Sequence, residues 1–189
     1  MDVNLKEKYN SHPDKLLYKH LEGVAEKAQK NWDSKIVEIA SLFHDLGKMN
    51  PNFQNKLTGK KTGYDNHAYP SSLAWLLFAS KNRNLIDDWF EKEYEIIFAI
   101  AAIIAKHHGD LPDLDEGFFA EAPRQELIKF LLKNSELPVS DFLQHFFPHQ
   151  SFSLYLPEPE IKLWVNEYQF KFSNLKNFIK SPLNFFHNT

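Results

Sequence analysis

The stretch from Ile96 to Ala105 constrains the fold of this chain more than any other. It contains only Ile, Phe and Ala. It is far short of the roughly 18–20 apolar residues that a membrane span needs. Extended to Tyr94–His108, it is apolar on every face, as expected of a helix buried at the centre of a bundle rather than lying on its surface. Gly109 is a natural stop for that helix, which leaves His107 and His108 at its C-terminal tip.

Several segments have the pattern needed to pack around such a helix. Leu17, Leu21, Val24, Ala25 and Ala28 recur at helical spacing and put His20 near the buried face of a first helix. Asp33 or Ser34 is placed to cap a second helix with Ile36, Ile39, Ala40 and Phe43 as its apolar stripe. Gly47 reads as its stop, with His44 and Asp45 in the last turn. Asn50-Pro51 reads as a cap followed by proline at the first helical position, opening a short helix through Phe53 and Leu57. After the basic, glycine-containing loop Thr58–Gly63, Asn66 is placed to cap a helix carrying His67, Ser71, Ala74, Trp75 and Phe78. Beyond an acidic loop from Gly109 to Gly117, helices are expected over Arg124–Lys133, Val139–Phe147 and Ile161–Ile179, with an irregular stretch over Pro148–Pro159. Strand alternation is weak throughout and no internal repeat is visible. The expectation is an all-α fold in one domain over residues 1–189.

The chain has no cysteine, which excludes a thiolate metal site or a cysteine nucleophile. A net charge of −3 excludes a uniformly basic nucleic-acid-binding surface. A nucleic-acid substrate would need local positive charge, from lysines or bound metal. Met1–Lys15 is polar and lacks the apolar core of a signal peptide. A cytoplasmic protein without a membrane anchor is expected.

The run Phe43-His44-Asp45-Leu46-Gly47-Lys48 places an imidazole beside a carboxylate. His20, His67 and the His107-His108 pair lie at helix-compatible places around it. Neutral imidazole and carboxylate suit Zn, Mn, Fe, Co or Ni with positions left for water and substrate. Neighbouring residues on a helix point about 100° apart. His44 and Asp45 can therefore serve one centre only at a loosened helix end, or if the carboxylate bridges two ions. Two ions about 3.5–4 Å apart form a clamp suited to phosphodiester cleavage. Lys48 is placed to hold a phosphate oxygen as a point charge. Each residue also has a plainer reading. His20 can be a core histidine, His67 a helix-start residue bonded to a loop, and His107-His108 a structural helix end. His44 and Lys48 can simply complement a helix C-terminus, and Ser71 can be a packing residue. Lys56, Lys60 and Lys61 fit a solvated loop better than a phosphate track. The Phe118-Phe119, Phe146-Phe147 and Phe185-Phe186 pairs fit core or interface better than base stacking. His12, His145, His149 and His187 are read as having no role in the site.

His44-Asp45 with its flanking histidines resembles the HD phosphohydrolase superfamily. The longer string from Phe43 to Gln54 resembles, more specifically, the HD nuclease domain of the CRISPR-associated type I helicase–nuclease, in which Phe-Gln follows the Gly-Lys. His20, His67-Ala68 with Ser71, and His107-His108-Gly109 match that family's other motifs in order. The resemblance implies an HD-domain helical bundle and a metal-dependent nuclease cutting single-stranded DNA. It also implies two divalent ions drawn from Mn, Ni, Co, Fe or Mg. The implied partners are a helicase, fused downstream or encoded separately, and an RNA-guided surveillance complex. Asp45 would bridge the ions, with His44 and nearby His20 on one side and His67, His107 and His108 on the other. Asp45 and Lys48 would be the catalytic residues. The family's late aspartate, in an Ala-Asp context, has no match. Asp110, Asp113 and Asp115 sit in a loop and Asp141 lacks the context, so the expectation is a domain truncated at its C-terminus. A phosphohydrolase acting on nucleotides or cyclic dinucleotides would use the same ligands. A non-catalytic docking domain is the third reading.

Overall fold

The N-terminal part of the chain is a set of packed helices preceded by a small hairpin; the computed structural model describes residues 6–60, 62–63, 65–91, 95–109, 139–148 and 159. The hairpin pairs β1 (Asn10–His12) with β2 (Lys15–Leu16) antiparallel, with an irregular register. The sequence pattern gave no sign of it, because strands this short carry no alternation to detect. The turn chemistry of Pro13-Asp14 is its local signal.

Helix α1 (Leu17–Asn31) buries Leu17, Leu21 and Ala25, the stripe expected from the spacing. Helix α2 (Lys35–Phe43) buries Ile39, Ala40 and Phe43. Ser34 occupies the cap position of α2, but its side chain makes no capping hydrogen bond. A 3-10 turn over Leu46–Met49 follows, then α3 (Pro51–Leu57). The Asn50 side chain caps α3 by accepting from the Asn52 amide at 2.9 Å, with proline at the helix start as the sequence indicates. Helix α4 (Ala68–Lys81) begins one residue after His67, and the Asn66 side chain accepts from the Tyr69 amide at 3.3 Å. Helices α5 (Arg83–Phe90) and α6 (Glu95–Ala105) follow. Helix α7 (Val139–Leu143) ends earlier than expected and continues as turns to Phe147. The helices expected over 124–133 and 161–179, and the segments 110–117 and 149–158, lie outside the described residues.

Helix α6 is central, but it is not buried all round. Phe98, Ile100, Ala101, Ala102 and Ile104 are buried, while Ala99 and Ile103, spaced i and i+4, face outward. Helices α4 and α2 pack on its other faces. Two buried groups fix α4 against α6: Ser72 Oγ donates to the Ala101 carbonyl and Trp75 Nε1 to the Ile97 carbonyl, both at 2.7 Å. Advancing along α4 therefore means retreating along α6, so the start of α4 meets the end of α6. Helices α1 and α2 form a hairpin across Trp32–Ser34, which brings the start of α1 beside the end of α2.

Phe43 lies where these layers meet. It is fully buried, with ring centroids 5.3 Å from Trp75, 5.2 Å from Phe78 and 6.4 Å from Phe147. Phe147 belongs to the core, as the sequence suggests for the Phe146-Phe147 pair. Replacing Phe43 with Ala should cost about 3–5 kcal/mol, and Phe43→Leu clearly less; thermal or urea melting of the two variants checks this order.

Candidate metal centre

The packing brings four helix ends to one place. His20 is in the first turn of α1 and His44 follows the last residue of α2. His67 immediately precedes α4, and His107 and His108 follow α6. The helical geometry has already loosened at each pair of adjacent residues. His44 is still helical, whereas Asp45 has φ −113° and ψ 8° and leads into the 3-10 turn. His107 and His108 lie in turns beyond Ala105 rather than at the helix tip, and their ring centroids are 4.0 Å apart. Adjacent side chains can therefore reach one centre, which a regular helix would forbid.

The Asp45 carboxylate is at the middle and is only 2% exposed. Its Oδ2 lies 2.9 Å from His20 Nε2, 3.3 Å from His44 Nε2 and 2.7 Å from Lys48 Nζ. Its Oδ1 lies 3.0 Å from His67 Nε2 and 3.3 Å from His107 Nε2. His108 Nε2 is 2.7 Å from His67 Nε2. Among the described residues two donor groups thus share one carboxylate: His20, His44 and Asp45, and Asp45, His67, His107 and His108. All six residues singled out as metal donors in the sequence come together, with Lys48 against them.

The fit to a cation can be tested on the hydrogen atoms. A carbonyl oxygen only accepts, so a ring nitrogen bonded to one must carry a proton. His44 Nδ1 donates to the Ser41 carbonyl and His107 Nδ1 to the Ile104 carbonyl, each at 2.7 Å. When neutral, His44 and His107 would therefore turn Nε2 lone pairs toward Asp45, the form in which histidine binds a metal. Asp45 Oδ1 and His107 Nε2 are both buried without a hydrogen bond. Although His67 Nε2 is 3.0 Å from Oδ1, its ring N–H is not aimed at that oxygen well enough to satisfy it. Buried acceptors facing one another in this way cost stability unless a cation lies between them. The donor set fits a divalent ion.

Residues outside the donor set hold it in shape. A Cβ at Gly47 would lie 2.1 Å from the His67 carbonyl oxygen. Gly47, read from the sequence as a helix stop, does not have positive φ. The glycine is needed for close approach, not for backbone freedom. Ser71, fully buried, accepts from the Gly47 amide at 2.8 Å and donates to the His67 carbonyl at 2.7 Å, locking the 3-10 turn to the start of α4. Gln54 exchanges both of its amide groups with the Asn10 backbone, at 3.1 and 2.8 Å, and donates to the Lys48 carbonyl at 2.7 Å. Phe53 packs edge-on to His67, ring centroids 5.1 Å apart, and lies 5.3 Å from Lys48 Nζ. The Phe53-Gln54 pair, noticed in the sequence only as a resemblance, is thus a physical support of the centre.

His12, read from the sequence as having no role, packs on His20 with centroids 5.6 Å apart. Only the hairpin brings it there, so its spacing in the sequence carried no signal. His145 pairs with Glu22 at 2.6 Å and ties α7 to α1. Lys56 pairs with Asp65 at 2.6 Å, and Asp141 is exposed on α7 and belongs to neither donor group. Lys61, Asp110, Asp113, Asp115, His149, His187, Phe118-Phe119 and Phe185-Phe186 lie outside the described residues.

Burial pushes the Asp45 carboxyl up, but the imidazoles of His107, His20, His44 and His67 outweigh it and hold the group well below the usual carboxylate range. Burial lowers His67 against the pull of Asp45, aided by Lys48 and His107. Burial, then His107 and His67, lowers His108 from 6.5 to about 4. Burial lowers His12 as well, helped by Lys48 and His20.

A family model described as "Cas3, HD domain" matches residues 6–153, well over half of the chain. No match was found among curated proteins or among solved structures.

Gly47→Ala should lower stability by about 1–3 kcal/mol through displacement of the His67 carbonyl, read as a fall in melting temperature. Between pH 6.5 and 4 the unfolded chain takes up protons that folded His108 and His67 refuse, so stability should decline as pH falls through that window. Nearer pH 4 the unfolded Asp45 carboxyl acts in the same direction. Melting in chelator should give a lower Tm at pH 5 than at pH 7, with the difference reduced in His108→Gln; a higher Tm at pH 5 would contradict this.

Proposed function

The chain belongs to the Cas3 HD-domain family of CRISPR-associated HD nuclease domains, and on that premise we propose that it is a metal-dependent hydrolase cleaving the phosphodiester bonds of single-stranded DNA. The observation that carries the reading is the sharing of one buried carboxylate, with Oδ2 facing His20 and His44 and Oδ1 facing His67 and His107. Asp45, His67, His107 and His108 would hold one divalent ion, and Asp45 and His44, with His20 beside them, a second. Ions held there would act as Lewis acids on phosphate oxygens and make a water acidic enough to attack at neutral pH.

The protein's own contributions follow from the geometry. Asp45 stays ionised across the physiological range, so it never has to lose a proton before a cation binds. His44 and His107 keep their rings oriented through the Ser41 and Ile104 carbonyls. Lys48 carries a fixed charge beside Oδ2 and can take up negative charge from the cleaved phosphate. The Thr58–Gly63 loop, near α3, offers Lys60 at the surface for the DNA backbone. Among the described residues no helix is long and apolar enough to cross a membrane. A helicase and an RNA-guided complex are the partners that would deliver the strand.

Circular single-stranded DNA incubated with the protein and Mn, Ni or Co should be cleaved, and Asp45→Ala should reduce the rate at least about 10²-fold. Faster hydrolysis of a mononucleotide or a cyclic dinucleotide than of the polymer would point to a small-nucleotide phosphohydrolase instead. Absence of bound metal, with Asp45→Ala indistinguishable from wild type, would leave only a docking role.

A further inference from the structure

We propose that Lys48 sets the order in which the two donor groups load, so that the Asp45 Oδ1–His67–His107–His108 group takes up the first ion and the Asp45 Oδ2–His20–His44 group is the weak site. The proposal rests on the metal reading above and adds an asymmetry that membership of the family does not supply.

Three observations on the Oδ2 side carry it. First, a cation is already there. Lys48 Nζ is 2.7 Å from Oδ2, whereas the described partners of Oδ1 are the imidazoles of His67 and His107. A metal–carboxylate bond is about 2.0–2.2 Å, so an ion on Oδ2 would lie within about 5 Å of the ammonium for as long as the lysine stays. Like charges at that distance repel strongly where water is scarce. Lys48 is only 6% exposed and its ammonium lies over the Phe53 ring, so it cannot simply swing into solvent.

Second, the donors on this side are less prepared. His44 presents a lone pair because the Ser41 carbonyl holds its other nitrogen. His20 has no such partner: its Nδ1 is buried and unpaired, and its Nε2 lies 2.9 Å from Oδ2 as a donor. Ligation by His20 would require the proton to move to a buried nitrogen with no described acceptor. Third, among the described residues the Oδ2 group numbers three donor residues and the Oδ1 group four. Donor number and the Lys48 charge both favour the Oδ1 side, so the experiment must separate them.

Calorimetric titration of the 189-residue chain with Mn(II), with free Mn(II) followed by electron paramagnetic resonance, makes that separation. Wild type should bind one equivalent tightly and a second at least about tenfold more weakly. Lys48→Met removes the charge without changing the donor count, and should tighten the second site at least about tenfold while moving the first much less. Lys48→Arg keeps the charge and should keep the weak site weak, which guards against a folding defect in Lys48→Met. His108→Gln should abolish the tight phase and His44→Gln the weak one. Two sites of equal affinity in wild type, a weak site that Lys48→Met leaves weak, or a tight phase lost in His44→Gln rather than His108→Gln would overturn the assignment of Lys48. A chain that binds no Mn(II) would instead overturn the metal reading beneath it.

Discussion

The structure depends on the buried charge of Asp45. Removing the Asp45 carboxylate from water costs several kcal/mol even after relaxation, and nothing in an apolar core repays that. The fold crowds polar groups around the two oxygens, four imidazoles within 3.3 Å and the ammonium of Lys48 at 2.7 Å, of which the His20 N–H and Lys48 offset part of the cost by donating to Oδ2. Even so, Oδ1 and the facing His107 nitrogen remain without hydrogen bonds. Natural proteins seldom leave buried acceptors in that condition without a functional reason. The mismatch is consistent with a site whose complete form includes cations.

The rest of the fold can be understood as the means of assembling that crowd. Six donor residues spread from His20 to His108 meet because α1 and α2 form one antiparallel hairpin and α4 and α6 run antiparallel to each other. The joint between the pairs is very close: Gly47 touches the His67 carbonyl, and Ser71 bonds to both. The core behind this joint is aromatic, with Phe43 against Trp75, Phe78 and Phe147. Rigid rings next to the HD turn keep the helix ends from shifting, which a site defined to fractions of an ångström requires.

Much of this was legible in the sequence, for physical reasons. The stripes of α1 and α2 could be read because burial on one face imposes helical spacing. Asn50-Pro51 could be read because capping chemistry is local. The donor residues could be read because imidazole and carboxylate in ordered motifs have few other uses in such number. What could not be read depended on long-range geometry. Nothing in the local pattern reveals that Gly47 is needed for contact with His67 rather than for a turn, or that Gln54 reaches Asn10. His12 reaches His20 only through a hairpin too short to show alternation. The exposed stripe of α6 at Ala99 and Ile103 could not be seen, because alanine and isoleucine look the same in sequence whether or not another helix covers them.

Anomalous diffraction from crystals grown with Mn(II) locates ions at Asp45 without reference to activity. Peaks are expected within bonding distance of both Asp45 oxygens, the stronger beside Oδ1 among His67, His107 and His108. No peak at Asp45, or ions bound only at surface carboxylates away from these histidines, would contradict the metal reading.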